Sequence, residues 1–312
     1  DLTRLRETWM KLRIALEGLG ACAGCEIAIL DLHEDLVSLL EDLEIDYAPI
    51  LMDKKSLNQN IDVLLLSGSV RNKNDAEEAV KLSEKAKITI AFGSCASFGG
   101  IPGLANLYAT KELVERAYLT TESTDNKERV LPSEEVPPIE EVIKPLKEWV
   151  KIDYKVPGCP PQPKLIKEIF QMLLNGKPVT LSKKTVCDEC DLKREEKKIN
   201  RTLRWGEGEP DGTRCLLEQG YFCAGPATRA GCEAKCIAAL TPCRGCMGPP
   251  ENATDQGARM VSAIASIAAV DEKDRVEPEE LATMFKDVVG TLYRFTLPSS
   301  IISRKVLERK SK

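Results

Sequence analysis

Short apolar runs separated by segments of helical spacing dominate the first half of the chain. Leu12–Leu16 (LRIAL), Tyr47–Leu51, Ile61–Leu66 (IDVLLL), Ile88–Phe92 (ITIAF) and Ile152–Val156 are brief, β-rich and close to continuously apolar, the pattern of buried strands. Between them, Glu26–Leu40 carries Ile27, Leu30, Val37 and Leu40 near helical spacing, and Asp75–Ala86 follows the third strand. Pro163 opens a further helix over Lys164–Leu174, with Gly176 just past its end. Strand alternating with helix predicts a parallel, doubly wound α/β sheet. Towards the C-terminus the pattern is purely helical: Ala253–Val270, with Ala258, Ser262 and Ser266 on one face suited to close packing, and Pro278–Phe295, ending before Pro298. This tail reads as a buttress against a partner or a second copy.

Composition narrows the class. At 312 residues and 43% hydrophobic content the chain can bury a large core without covalent staples, and its length suggests two domains. A formal charge of −5 gives no overall attraction to nucleic acid or anionic lipid, and 5% aromatic residues leave little for a base-stacking surface. The longest apolar candidate, Met260–Val270, is too short to span a bilayer, and Asp1–Gly20 has no apolar signal-peptide core. With free-thiol chemistry, a cytoplasmic protein is expected.

The chemistry lies in twelve cysteines, set against one histidine. Cys22, Cys25, Cys95 and Cys159 are dispersed, whereas Cys187, Cys190, Cys215, Cys223, Cys232, Cys236, Cys243 and Cys246 form a dense run. Twelve thiolates are the number that holds three four-iron clusters by four ligands each. Disulfides are the poorer use in a chain with its own core. Structural zinc is the stronger rival, because Cys187-x2-Cys190 and Cys243-x2-Cys246 have the pair spacing of such sites.

Placement within the α/β pattern favours clusters. Gly20-Ala-Cys22-Ala-Gly-Cys25 follows the first strand, Gly93-Ser-Cys95 the fourth and Pro157-Gly-Cys159-Pro-Pro161 the fifth. Loops after parallel strands share the carboxyl edge of the sheet, so four scattered thiols are expected to converge there. Gly18, Gly20, Gly24, Gly93 and Gly158 let backbone amides come close to cluster sulfur. Gly18-x-Gly20 lacks the remainder of a dinucleotide fingerprint, and no Walker loop occurs. Ser67-Gly68-Ser69, on the same edge, either turns the chain or lines the pocket.

The loops CAGC (Cys22–Cys25), GSCASFGGIPG (Gly93–Gly103) and VPGCPPQP (Val156–Pro163), in that order, resemble the small subunit of nickel-iron hydrogenases and the related cluster subunit of complex I. The resemblance extends from about residue 12 through the eight-cysteine run. It implies a flavodoxin-like domain over 1–178, holding a proximal 4Fe-4S cluster on Cys22, Cys25, Cys95 and Cys159, that faces a nickel-iron centre in a separate large subunit. A smaller loop-rich domain with C-terminal helices, 179–312, then holds a medial and a distal 4Fe-4S cluster. Complex I's homologue has adjacent cysteines in place of Cys22-x2-Cys25 and lacks the later run, so hydrogenase is favoured. Respiratory members hold the distal cluster with His-x2-Cys and two later cysteines. Here Cys187-x2-Cys190, Cys215 and Cys223 match that pattern, with cysteine for histidine. Their medial cluster has three cysteines and three irons, where this chain offers Cys232, Cys236, Cys243 and Cys246. More thiolate donation implies lower potentials.

The all-cysteine ligation, the CAGCE start and the long insert are similar to the cytoplasmic methyl-viologen-reducing hydrogenases of methanogenic archaea. That resemblance implies electron delivery through a small iron-sulfur subunit to heterodisulfide reductase, with a deazaflavin-reducing hydrogenase as the nearest alternative. Glu26 directly follows Cys25, and Ile27 stands where many relatives carry a glutamate, so no catalytic side chain is assigned. The acidic segment 121–141 reads as a solvated loop, and Lys193–Arg204 as a solvated helix face or docking surface, with Trp205 beside it. His33 is expected at the surface, and the sequon at Asn252 is read as chance.

Overall fold

The computed structural model describes residues 11–196, 198, 199, 203, 206–268, 285 and 287–303. A 5-stranded sheet comprises β1 (Leu12–Gly18), β2 (Leu43–Tyr47), β3 (Ile61–Ser67), β4 (Ala86–Phe92) and β5 (Tyr154–Val156), in the order β2-β1-β3-β4-β5. Every neighbouring pair is parallel. The parallel sheet is the one the strand and helix alternation predicts, and its order is the flavodoxin-like one that the resemblance implied. The helices of this half are α1 (Gly24–Leu30), α2 (Glu34–Leu39), α3 (Lys73–Ser83), α4 (Ser94–Phe98), α5 (Thr110–Glu115) and α6 (Pro163–Leu174).

Successive strand residues point to opposite faces, and both faces are covered. Ile14, Leu16, Val63, Leu65, Ile90 and Phe92 pack with α1 and α6 through Ala28, Ile29, Ile166 and Phe170. Ala15, Leu64, Leu66 and Ala91 pack with Ala79 and Leu82 of α3. Asn72 starts α3 with a capping box: its side chain accepts the Asp75 N–H at 3.0 Å, and Asp75 accepts the Asn72 N–H at 3.2 Å.

Two expectations are corrected. The second strand is Leu43–Tyr47, not Tyr47–Leu51, because Leu43 and Ile45 register with Leu12 and Ile14. Pro49, without an N–H, cannot join the ladder, and residues 48–52 form a turn closed by Leu51 N–H to Ala48 O at 2.8 Å. The segment Glu26–Leu40 is not one helix. It breaks at His33, an exposed residue with a φ of 51°, and the inward face differs from the expected one. Ile27, Leu30 and Val37 are exposed, whereas Ala28, Ile29, Leu32 and Leu39 are buried.

Beyond residue 178 the described chain is mostly loop, with α7 (Lys235–Ala238), α8 (Gln256–Ala268) and a short helix at Val288–Leu292. Its core gathers Val186, Leu216, Tyr221, Met260, Ile264 and Leu297, while Met247 packs into the sheet's own core. In α8 the buried face is Gly257, Met260 and Ile264; Ala258, Ser262 and Ser266 stand outside it. Segment 121–141 is irregular and largely exposed, but its end is tied to the start of α3 by Glu140 N–H to Arg71 O at 2.8 Å. Residues 1–10, Lys197, Arg201, Arg204, Trp205, Val270 and, of the expected helix Pro278–Phe295, residues 278–284 and 286 lie outside the described residues.

Candidate metal centres

Three groups of four cysteines come together, and all twelve thiols are free. The first group sits at the carboxyl edge of the sheet. The loop after β1 carries Cys22 and, in the first turn of α1, Cys25; Cys95 lies in α4 after β4, and Cys159 follows β5. Burial first, then the charges of Glu26, Cys95, Cys159 and Cys22, push the Cys25 thiol far above its ordinary value. Burial, then Cys159 and Cys22, push Cys95 up to about 11. These thiols lie close enough to feel one another.

Glycines give this site its shape. Gly93, at φ 87°, leaves the space occupied by Cys25 Sγ, which a Cβ would strike. Gly24 is looser: a Cβ there would stand 3.4 Å from Cys22 Sγ. Gly158 behaves differently, since a Cβ would meet Pro161 Cα at 2.5 Å rather than a sulfur. Gly100 escaped the sequence reading. At φ 56° it lies against Cys95, where a Cβ would be 2.6 Å from Sγ, and the Gly99-Gly100 pair was its one signal.

Serines brace the loops. Gly20 and Ser69 exchange backbone hydrogen bonds of 2.9 and 3.2 Å, so Ser67-Gly68-Ser69 both turns the chain and holds the Cys22 loop. Ser67 donates to Glu26 Oε1; Glu26 is 2% exposed, and its Oε2 has no hydrogen-bond partner. Ser94 also escaped notice in the sequence. Its N–H reaches Gly158 O at 2.8 Å, its hydroxyl accepts the Gly158 N–H at 3.1 Å, and it donates to Cys246 O.

The second group lines a cavity of about 250 Å3 whose walls include Cys187, Cys190, Cys215 and Cys223. Leu216, Ile237 and Ile267 make much of the wall apolar, and Arg194 reaches it too. Thr185 and Asp188 cap the turn that presents Cys187, while Cys215 N–H pairs with Lys193 O at 2.7 Å. Burial raises Cys187 to about 11 against the opposing pull of Arg194. Cys223, more deeply buried, is pushed to about 12.

Cys232, Cys236, Cys243 and Cys246 form the third group. Cys232 is raised by burial, then by Glu189 and Cys236 among others; Cys246 is pushed to about 12 by burial, then by Cys243 and Cys232 among others. Two hydrogen bonds run between the groups: Ser94, beside Cys95, donates to Cys246 O, and the Cys243 N–H donates to Cys223 Sγ at 3.4 Å.

Comparison with known proteins gives the family. Residues 22–173 match the model described as NADH ubiquinone oxidoreductase, 20 Kd subunit. The chain is 46% identical over 296 residues to a subunit of the vhu F420-non-reducing hydrogenase of Methanocaldococcus jannaschii, covering 95% of this chain and 98% of the relative. The corresponding subunit of the F420-non-reducing hydrogenase of Methanothermobacter marburgensis is 41% identical over 300 residues, covering 95% and 97%. The chain belongs to this family of F420-non-reducing hydrogenase small subunits.

As such it is part of a hydrogenase, an oxidoreductase, and it is the small subunit of a kind that pairs with a large one. In the crystal structure of an NAD+-reducing NiFe hydrogenase in the H2-reduced state, a chain 32% identical to this one superposes with a TM-score of 0.52 over 55% of this chain and 95% of that chain. The NiFeSe hydrogenase of Desulfovibrio vulgaris Hildenborough, at 16% identity, shares the fold with a TM-score of 0.50 over 78% of this chain and 96% of its own. No described helix is long and apolar enough to cross a membrane.

The donor set suits the iron-sulfur clusters that membership implies. Thiols raised by burial stay protonated at neutral pH unless a bound metal supplies positive charge and displaces the proton. A single zinc ion holds sulfur at about 2.3 Å, and among the described residues no three Cys, His, Asp or Glu are disposed to share one ion. The cavity beside Cys187 has room for something larger.

Proposed function

We propose that this subunit conducts electrons from dihydrogen oxidation in its large subunit through three 4Fe-4S clusters. The observation that carries the reading is the row itself: three groups of four thiols, linked by Ser94, beside Cys95, to Cys246 O and by the Cys243 N–H to Cys223 Sγ. In this reading Cys22, Cys25, Cys95 and Cys159 hold the proximal cluster in the domain of residues 1–178. Cys232, Cys236, Cys243 and Cys246 hold the medial cluster and Cys187, Cys190, Cys215 and Cys223 the distal one, both in residues 179–312. The clusters supply one-electron redox chemistry when bound.

The protein's part is to fix the order of the groups, exclude water and direct hydrogen bonds at sulfur. Entry is at Cys22 and Cys159, which are exposed at the sheet edge and face the nickel-iron centre of the large subunit. Exit is at the Cys187 group, towards a small iron-sulfur subunit and a heterodisulfide reductase in the cytoplasm. The relatives are named F420-non-reducing, which supports this acceptor over the deazaflavin alternative. The chain alone has no hydrogenase activity in this reading.

Metal analysis of the anaerobically purified complex tests it. Twelve irons and twelve sulfides per copy of this chain, on the four-ligand rule, with nickel only in the larger partner, are expected. Zinc in place of the C-terminal iron overturns it. A three-iron EPR signal in undamaged oxidised protein removes the medial assignment alone.

A further inference from the structure

Glu189 belongs by sequence to one group of cysteines and by contact to another. It stands between Cys187 and Cys190, yet it is not part of the wall of the cavity that those cysteines line. Its Oε1 instead accepts the Gly231 N–H at 2.8 Å, one residue before Cys232. Its Oε2 is buried and has no hydrogen-bond partner. Lys164 does not neutralise it, because that ammonium pairs with Glu233 at 2.6 Å.

A backbone seam fixes the carboxylate in this place. Val186 N–H donates to Thr228 O at 2.9 Å, Ala230 N–H to Lys184 O at 3.0 Å, and the Arg229 guanidinium to Ser182 O at 2.8 Å. Thr185 and Arg229 form the antiparallel bridge at its centre. Gly231, at φ 121°, turns the chain out of the seam where Glu189 meets it, a conformation open to glycine. The segment before Cys187 is thus bound along its length to the segment before Cys232.

A buried carboxylate oxygen without a donor costs stability, so its presence asks for another use. An electron arriving at the Cys232 group adds negative charge beside a carboxylate, and charges repel more strongly in a protein interior than in water. No bond forms or breaks and no proton moves in this step: the electron comes from the proximal cluster and leaves for the distal one.

We propose that Glu189 is a positioning residue that clamps the Cys187 turn to the Cys232 loop and, through its carboxylate, holds down the potential of the medial cluster, so that an electron reaching it is driven on to the distal cluster. The inference rests on the assignment of Cys232, Cys236, Cys243 and Cys246 to the medial cluster. Glu189→Gln keeps an acceptor for Gly231 and removes the charge, whereas Glu189→Asp keeps the charge on a shorter arm.

The test is an EPR-monitored redox titration of the purified hydrogenase complex, with iron content measured for each variant. Glu189→Gln raises the reduced-to-oxidised ratio of the medial couple at fixed potential by about tenfold, about 59 mV for a one-electron couple, and leaves the proximal couple in place. Glu189→Asp stays closer to the wild-type value, which a role in shape alone would not produce. A medial couple unmoved in Glu189→Gln at full iron content overturns the proposal, as does an aspartate variant shifted as far as glutamine. Loss of medial iron in Glu189→Gln also overturns it, since the residue would then be structural. Absence of a medial 4Fe-4S signal in the wild-type complex overturns the underlying assignment, and the proposal with it.

Discussion

The first group of cysteines and the two C-terminal groups present the same thiols on opposite kinds of scaffold. Cys22, Cys25, Cys95 and Cys159 hang from the ends of strands whose two faces are packed with Ile14, Leu65, Leu64 and Leu82. That sheet has a reason to fold before any metal arrives. The eight later cysteines sit in loops and short helical turns whose core includes cysteines, with Cys223 and Cys243 at 5% and 6% exposure. There the metal would be part of the core. Where sulfur is decoration on a framework, losing it costs function; where sulfur is the framework, losing it costs structure as well.

Iron removal sharpens this contrast most. Chelation under reducing conditions is expected to open residues 179–312 to proteolysis while the sheet stays protected in hydrogen exchange. Equal protection of both halves breaks the comparison.

Ligand substitution comes next. Cys22→Ala is expected to abolish hydrogen-dependent dye reduction in an assembled complex with little change in melting temperature, whereas Cys243→Ala lowers both. Dye reduction at the wild-type rate in Cys22→Ala would count against the entry point.

A glycine pair gives a smaller effect. Gly93→Ala meets both a φ of 87° and Cys25 Sγ, so a destabilisation of about 1–3 kcal/mol is expected in denaturant unfolding. Gly225→Ala, whose Cβ would lie 3.1 Å from Cys187 Sγ without a strained φ, is expected to cost less.

The smallest effect belongs to the sheet alone. Burial works against the Asp46 charge, but bonds from Lys54, Gln59 and Arg13 outweigh it and hold the carboxyl below its usual value. Its contribution is therefore full above the unfolded carboxylate pKa of about 3.9 and is lost as pH falls through the lower folded value. Asp46→Asn should cost about 1–2 kcal/mol at pH 7 and progressively less as pH falls below about 3.9, measured by urea unfolding. A constant difference across that range rejects the assignment.

Much of this was readable in the sequence because it depends on local rules. Apolar runs of strand length and the cysteines directly after them were enough to place four thiols at one edge. Glu26–Leu40 was misread because helical spacing of Ile27 and Val37 says which residues share a face, not whether that face turns inward. Pro49 did carry the signal that moves β2 back to Leu43, but the apolar flanks outweighed it in the reading. Gly100 and Ser94 are another matter, since their roles lie in contacts to Cys95 and Cys246, and spacing along the chain does not encode such contacts.

Ser94 also bears on time. Through one side chain it holds the turn after β5 at Gly158 and the carbonyl of Cys246, residues that leave the ribosome long after it does. Domains of nascent chains fold from the N-terminus onward. The first half can thus take shape and wait, while the last cysteine loop must be moulded against a surface already made. The eight-cysteine segment is therefore no transplantable module: synthesised on its own, it would lack the template on which Cys246 is set.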